Sequence, residues 1–154
     1  MLKFSRNKII IFDLEEALNF DGETGPYLQY TGVRANNIIN KLTEKNFTLP
    51  DITMLPDYPD ELLYIQDFEP VWDLVFYSSL LKKTISKALE SIEISLLAKY
   101  LYSLSQKFNY FYYHYDVIHM PEEERIFRAF IVALFKHQFQ TAMQILGLPI
   151  PHRM

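Results

Sequence analysis

The chain is 154 residues long, 49% hydrophobic and 16% aromatic, with a net charge of −4. That length holds one domain with a full core and is too short for two ordinary ones, and the apolar content excludes a disordered protein. The acidic balance excludes binding to nucleic acid by phosphate contacts alone, and the lack of Cys removes disulfides, thiolate zinc sites and cysteine nucleophiles together.

The first residues, MLKFSRNKIIIFDLEE, carry an apolar run from Ile9 to Phe12 that is too short for a signal-peptide core or a bilayer span. A soluble, cytoplasmic protein with no membrane partner is expected. Lys8 to Leu14 reads as a strand from its β-branched content, and Asn19 to Gly25 as a loop from its Asn, Asp and Gly. A helix is predicted from Pro26 to about Lys45. Thr24 or Gly25 can cap it, and Pro26 suits the first helical position, where its missing N–H would have had no intrahelical partner. Leu28, Ala35, Ile38, Ile39 and Leu42 recur at helical spacing and form its buried stripe.

Residues 46 to 59, with Pro50, Pro56 and Pro59, form a connection. From Glu61 to Glu90 a helical period runs through Leu62, Leu63, Ile65, Val71, Leu74, Val75, Leu80, Leu81, Ile85 and Leu89. Pro70 opens a second helix within that span, because a proline in a helix interior costs about 3 kcal/mol. Another helix covers Ile94 to Tyr115. Pro121 followed by Glu122, Glu123 and Glu124 starts the last one, with acids on the positive end of its dipole; it runs to Leu146, where Gly147 stops it and Pro149 prevents resumption. The fold class is an all-α helical bundle with a short N-terminal extended segment.

Catalytic patterns are missing. His114, His119, His137 and His152 never form an HExxH pair, and no cysteine is available to complete a metal site, so no metal is expected. The glycines lack the spacing of a GxxxxGK[ST] or GxGxxG phosphate loop, and there is no GxSxG elbow. Glu15 with Glu16, and Glu122 to Glu124, fall where solvated helix ends are expected. Nothing in these residues activates a substrate.

What stands out is FDGETGPYLQYTGVRANNI, from Phe20 to Ile38, which takes Gly22, Gly25 and Gly32 and leaves one glycine for the rest of the chain. This block resembles the signature at the start of the DALR anticodon-binding domain, the C-terminal helical domain of arginyl-tRNA synthetases. LAKYLYSLSQKFNYFY, Leu97 to Tyr112, resembles that family's long helix, and RIFRAFIVALFKHQFQTAMQILGLPIPHRM, Arg125 to Met154, resembles its final helix and terminal methionine. The chain departs from the family at Gly32, where Tyr or His is usual, at Lys83 to Ile85, where Phe-Pro is common, and in the Phe-rich last helix.

The resemblance implies a tRNA-recognition module. Residues 1–20 would lead out of a catalytic domain that is missing here, and 21–154 would be the anticodon-binding domain. The ATP-binding His-x-Gly-His and Lys-Met-Ser-Lys-type elements of class I synthetases do not occur, so this chain is expected to be no enzyme by itself and to hold no cofactor. An excised domain or a truncated gene product is expected, with ATP and Mg belonging to the parent arginine-tRNA ligase. By the same resemblance the anticodon loop of arginine tRNA would be met by Gly22, Gly25, Tyr27, Tyr30, Arg34 and Met154. The two glycines would allow close backbone approach, Tyr27 and Tyr30 lie one helical turn apart, and Arg34 could reach a base or phosphate. Bases splayed from a single-stranded loop are read on aromatic and guanidinium planes, which suits an acidic protein.

Each of these residues has a plainer reading. Tyr27 and Tyr30 taken alone would be half-buried packing, and Arg34 a solvated or ion-paired surface residue. The run Tyr110 to Tyr115 could be a stacking platform for bases, but its side chains point all round a helix, and Phe108, Phe111 and Tyr112 fall where the family packs its core. Lys82, Lys83 and Lys87 make a small basic patch that could hold a backbone phosphate or be a solvated face. His114 and His119 read as hydrogen-bonded structural residues. The competing function is a stand-alone helical interaction module. It would bind a protein partner, the missing catalytic domain or its own copy, the last through Ile9, Ile10, Ile11 and Phe12.

Overall fold

The structure, a computed structural model, describes residues 4, 9, 13–18, 22–54 and 69–154. Six helices follow in chain order: α1 (Leu14–Leu18), α2 (Gly25–Glu44), α3 (Glu69–Ser79), α4 (Leu81–Ser91), α5 (Ser95–His114) and α6 (Glu122–Ile145). There is no strand among the described residues. The all-α bundle expected from the sequence is what the chain forms.

α5 is its centre, packing on α2, α3, α4 and α6. The reason lies in its sequence: Leu97, Leu101, Leu104, Phe108 and Phe111 repeat at three- and four-residue spacing and are buried. They meet Phe135 and Phe139 of α6, with the Phe108 and Phe135 rings stacked at 3.9 Å and Phe135 to Phe139 at 5.1 Å. Phe135 and Phe139 of the last helix are therefore, with Phe108 and Phe111, the largest fully buried side chains of the core.

Helix ends follow local chemistry. Thr24 caps α2, its Oγ1 accepting from the Tyr27 N–H at 3.3 Å, so Gly25 is the first helical residue and Pro26 the second. α2 ends on Asn46 in a left-handed conformation (φ 58°), with the Phe47 N–H bonded to the Leu42 carbonyl at 3.0 Å. α6 ends the same way on Gly147 (φ 69°), the Leu148 N–H reaching the Met143 carbonyl at 2.9 Å.

Three expectations change. The run read as a strand from Lys8 falls mostly outside the described residues, and its last residue, Leu14, opens α1. The helix expected to open at Pro70 and run to Glu90 begins at Glu69 and is two helices, broken at Leu80. Beside the break Ser78 and Ser79 turn their hydroxyls onto the Leu74 and Phe76 carbonyls, both at 2.7 Å. Leu89, taken as part of the apolar stripe, is 73% exposed, while Val71, Leu74 and Leu81 are buried as the period required. Residues 55–68, including Leu62, Leu63 and Ile65, lie outside the described residues.

Candidate nucleic-acid interface

The first half of α2 lies against the second half of α5, and polar residues fill the seam between them. Asn109 is the hinge of that contact. It is buried on α5, so both ends of its amide need partners. Its Nδ2 donates to the Tyr27 hydroxyl and to Thr31 Oγ1, both at 3.0 Å, and its Oδ1 accepts from Arg34 Nη1 at 2.8 Å. One side chain thus ties three residues of α2 to α5.

Arg34 is held from every side. Its Nη2 donates to the Tyr113 hydroxyl. Its guanidinium carbon sits 4.3 Å from the centre of the Tyr30 ring, 4.9 Å from that of Tyr112 and 4.8 Å from that of Tyr113. Cation–π attraction and hydrogen bonds together fix a long side chain that would otherwise carry large rotamer entropy. Tyr30 is 38% exposed, Tyr112 38% and Tyr113 68%, so the cage around the arginine is a surface feature with flat faces open to solvent.

Tyr27 behaves differently from Tyr30. It is half-buried, packs against the core, and stands 5.4 Å from the Tyr102 ring at a tilt of 51°. Its place is closer to the packing reading, with the hydroxyl engaged by Asn109. Tyr112, expected in the core beside Phe108 and Phe111, lies at the surface on Arg34, because Arg34 offers its ring a cation while the core positions are already filled by the two phenylalanines.

The glycines divide as well. Gly22 has φ 91°, a conformation L side chains rarely adopt, and space for a Cβ is open there. Gly25 is helical, with nothing within 4 Å of where a Cβ would stand, so the free chain itself does not require glycine at that position. Gly32 does answer to a neighbour: a Cβ would meet the Ile150 side chain at 2.9 Å. With the Gln29 amide donating to the Pro149 carbonyl at 3.0 Å, this seats the C-terminal tail on α2. Gln29 and Gly32 lie roughly 100–160° around the helix from Tyr30 and Arg34. Met154, four residues beyond Ile150, is half-exposed.

Lys82, Lys83 and Lys87 are exposed on α4, which packs on α3 and α5, and the cluster around Arg34 is built by α2 and α5 without them. Ile9 is exposed; Ile10, Ile11 and Phe12 lie outside the described residues. His119 and Asp116 pair at 2.8 Å in the loop before α6, with the Arg128 guanidinium bonded to the Asp116 carbonyl at 2.6 Å. His114 lies 4.2 Å from the Tyr110 ring. Among the described residues no group of three His, Asp or Glu is placed to hold a metal ion, and no helix is long and apolar enough to cross a membrane.

Sequence reasoning missed Asn109, and weighed Tyr113 only as one member of the aromatic run Tyr110 to Tyr115. The signal for the first was present, an amide directly after Phe108 in a stretch whose neighbours repeat as core. Tyr113 follows it at the i, i+4 spacing that places two side chains on one helix face.

Residues 28–154 match the DALR anticodon binding domain family. The chain is 33% identical over 154 residues to a protein named arginine-tRNA ligase from Clostridium beijerinckii, covering 99% of this chain and 25% of that protein. A protein of the same name from Ignicoccus hospitalis is 34% identical over 155 residues, covering 100% of this chain and 23% of its own length. Among solved structures, arginyl-tRNA synthetase of Thermus thermophilus superposes with a TM-score of 0.78 at 28% identity, over 99% of this chain and 25% of that one. The chain spans about a quarter of the length of the relatives it matches.

Proposed function

This chain belongs to the DALR anticodon binding domain family, and on that premise we propose that it recognises the anticodon loop of arginine tRNA as the C-terminal anticodon-binding part of a cytoplasmic arginine-tRNA ligase. The observation that carries the reading is the caged arginine: Arg34 fixed between Tyr30, Tyr112 and Tyr113, with exposed ring surface around it. Single-stranded bases stack on such faces at about 1–3 kcal/mol per base, and a side chain already held in place loses little further entropy when RNA arrives. Net charge does not oppose this, because stacking needs flat surface more than a basic field.

Within the reading, Tyr30 and Tyr113 are the stacking faces. Arg34 presents a cation to a base edge or a phosphate, and Asn109 is a positioning residue that acts through it. Tyr27 supports the seam from beneath. Gly22 shapes the approach loop, Gly25 leaves open space beside the first turn of α2, and Met154 reaches the RNA from the tail. Lys82, Lys83 and Lys87 are assigned to backbone phosphates at a distance from the loop. Chemistry on ATP with Mg falls to the remaining three quarters of such a ligase. The glycines here lack the spacing of a phosphate loop. By this reading the role of these residues is to help select the tRNA.

The test is fluorescence anisotropy of a labelled arginine-tRNA anticodon stem-loop, beside one with its middle anticodon base changed, at a single stated low salt. Tighter binding of the cognate loop is expected. Equal binding of both, or of neither, would contradict the reading and move weight to a helical interaction module.

A further inference from the structure

The groove between the start of α3 and the middle of α5 has no part in the cluster described above. We propose that it is a second base subsite, taking one unpaired nucleobase of the bound RNA loop with its face on Tyr110 and its hydrogen-bonding edge at Asp73 and Lys107. The inference rests on the RNA-binding reading and adds a site to it.

The cavity measures about 380 Å³ and is lined by Glu69, Asp73, Tyr77, Gln106, Lys107 and Tyr110, among others. That is the size range of clefts that hold small organic groups, about 300–1,000 Å³. Its chemistry suits a base. Lys107 Nζ lies 2.6 Å from Asp73 Oδ2 and 4.6 Å from the centre of the Tyr77 ring, which fixes a carboxylate beside an ammonium at the groove's edge. Every nucleobase presents an N–H donor next to an acceptor on its pairing edge, the complement of such a pair. Tyr110 is half-exposed, and its contact with the His114 ring at 4.2 Å holds the plane of its own. Glu69 and Asp73 against the single Lys107 leave the lining net negative, which disfavours a phosphate and leaves a neutral base edge as the better occupant.

The groove also continues from the Arg34 cluster. Gln106 lines it while donating to the Tyr102 hydroxyl at 3.2 Å, and Tyr102 contacts Tyr27 at the foot of that cluster. Tyr110 precedes Tyr113 by three residues, so the two are surface neighbours on α5. A nucleotide chain leaving Tyr113 across a helix about 10–12 Å wide arrives at the groove.

The experiment titrates anticodon stem-loops carrying an abasic nucleotide at each loop position in turn. The proteins are the wild-type chain, Tyr30→Ala, and the double variant Tyr110→Ala with Asp73→Ala, with helicity checked by circular dichroism. One loop position is expected at which base removal weakens wild type about fivefold or more. It should cost the groove variant nothing further, and it should differ from the position that falls silent in Tyr30→Ala. If the double variant loses helicity, Asp73→Asn alone is read in its place, since it removes the edge's charge at an exposed site. A groove variant that binds every RNA as wild type does, while Tyr30→Ala still loses affinity, would overturn the subsite and leave the anticodon reading standing. Wild type that binds no stem-loop would overturn both.

Discussion

The two faces of α5 use the same residue class for opposite ends. On one, Phe108 and Phe111 are buried and stack toward Phe135 and Phe139. On the other, Tyr112 and Tyr113 gather around a cation and keep their rings open to water. A hydroxyl separates the two sets. A phenylalanine buries its whole surface at no polar cost, whereas a tyrosine needs a partner for its O–H, which holds it near the boundary. Asn109 sits at that boundary and binds across it. The lesson is that aromatic content alone does not mark an interface; the partner of the ring does.

If this contrast is right, changes on the two faces separate stability from binding. Phe135→Ala on the dry face should have the largest effect, a loss of about 3–5 kcal/mol in folding free energy by urea denaturation. The fraction that remains folded should bind RNA as wild type does. Asn109→Leu, at the boundary, should cost about 1–3 kcal/mol of stability, because Arg34 and the Tyr27 hydroxyl each lose a partner in a confined seam. It should also lower RNA affinity, since Arg34 is no longer positioned. An Asn109→Leu chain with full affinity would show that the amide has only a packing role.

On the wet face, Tyr30→Ala should lower stem-loop affinity by about 1–3 kcal/mol with thermal stability nearly unchanged, a combination that packing residues do not give. The smallest effect belongs to neither face. In the loop before α6, slight burial opposes ionisation of Asp116, but hydrogen bonds from the His119 ring and from the Ile118 and His119 N–H groups outweigh it and hold the carboxyl below its ordinary value. A depressed folded-state value gives stability that is present above the unfolded value, about 4, and is lost as pH falls through the folded one. Asp116 is half-exposed, so solvent screening reduces the gain. Asp116→Asn should change stability at neutral pH by about 0.5 kcal/mol or less, flatten the acid limb of a pH–stability curve, and leave RNA affinity untouched.

Much of the architecture was legible in the sequence, because helical period and end signals are local. The last helix announced itself by Pro121, three glutamates and Gly147, and the structure ends it on a left-handed glycine as those residues required. The break at Leu80 was not legible, since Val71, Leu74, Leu81 and Ile85 keep one period across it. Two serine hydroxyls bond carbonyls of the last turns of α3 beside that break, and nothing in the period records it. For the site, the residues on α2 could be singled out because they lie within one short block. Their pairing with Asn109 and Tyr113 could not, because these are 75 and 79 residues away from Arg34 and meet it only once α5 has packed against α2. Gly32 is a similar case: its reason is Ile150, at the other end of the chain.

The central claim is that RNA meets the seam between α2 and α5, and the most direct measurement is a nuclear magnetic resonance titration of the isotopically labelled chain with the arginine-tRNA anticodon stem-loop. The account predicts that shifts concentrate at Tyr30, Arg34, Tyr112 and Tyr113 while the methyl groups around Phe108 and Phe135 stay still. Shifts centred on α4 or α6, with the Arg34 cluster silent at saturation, would contradict it.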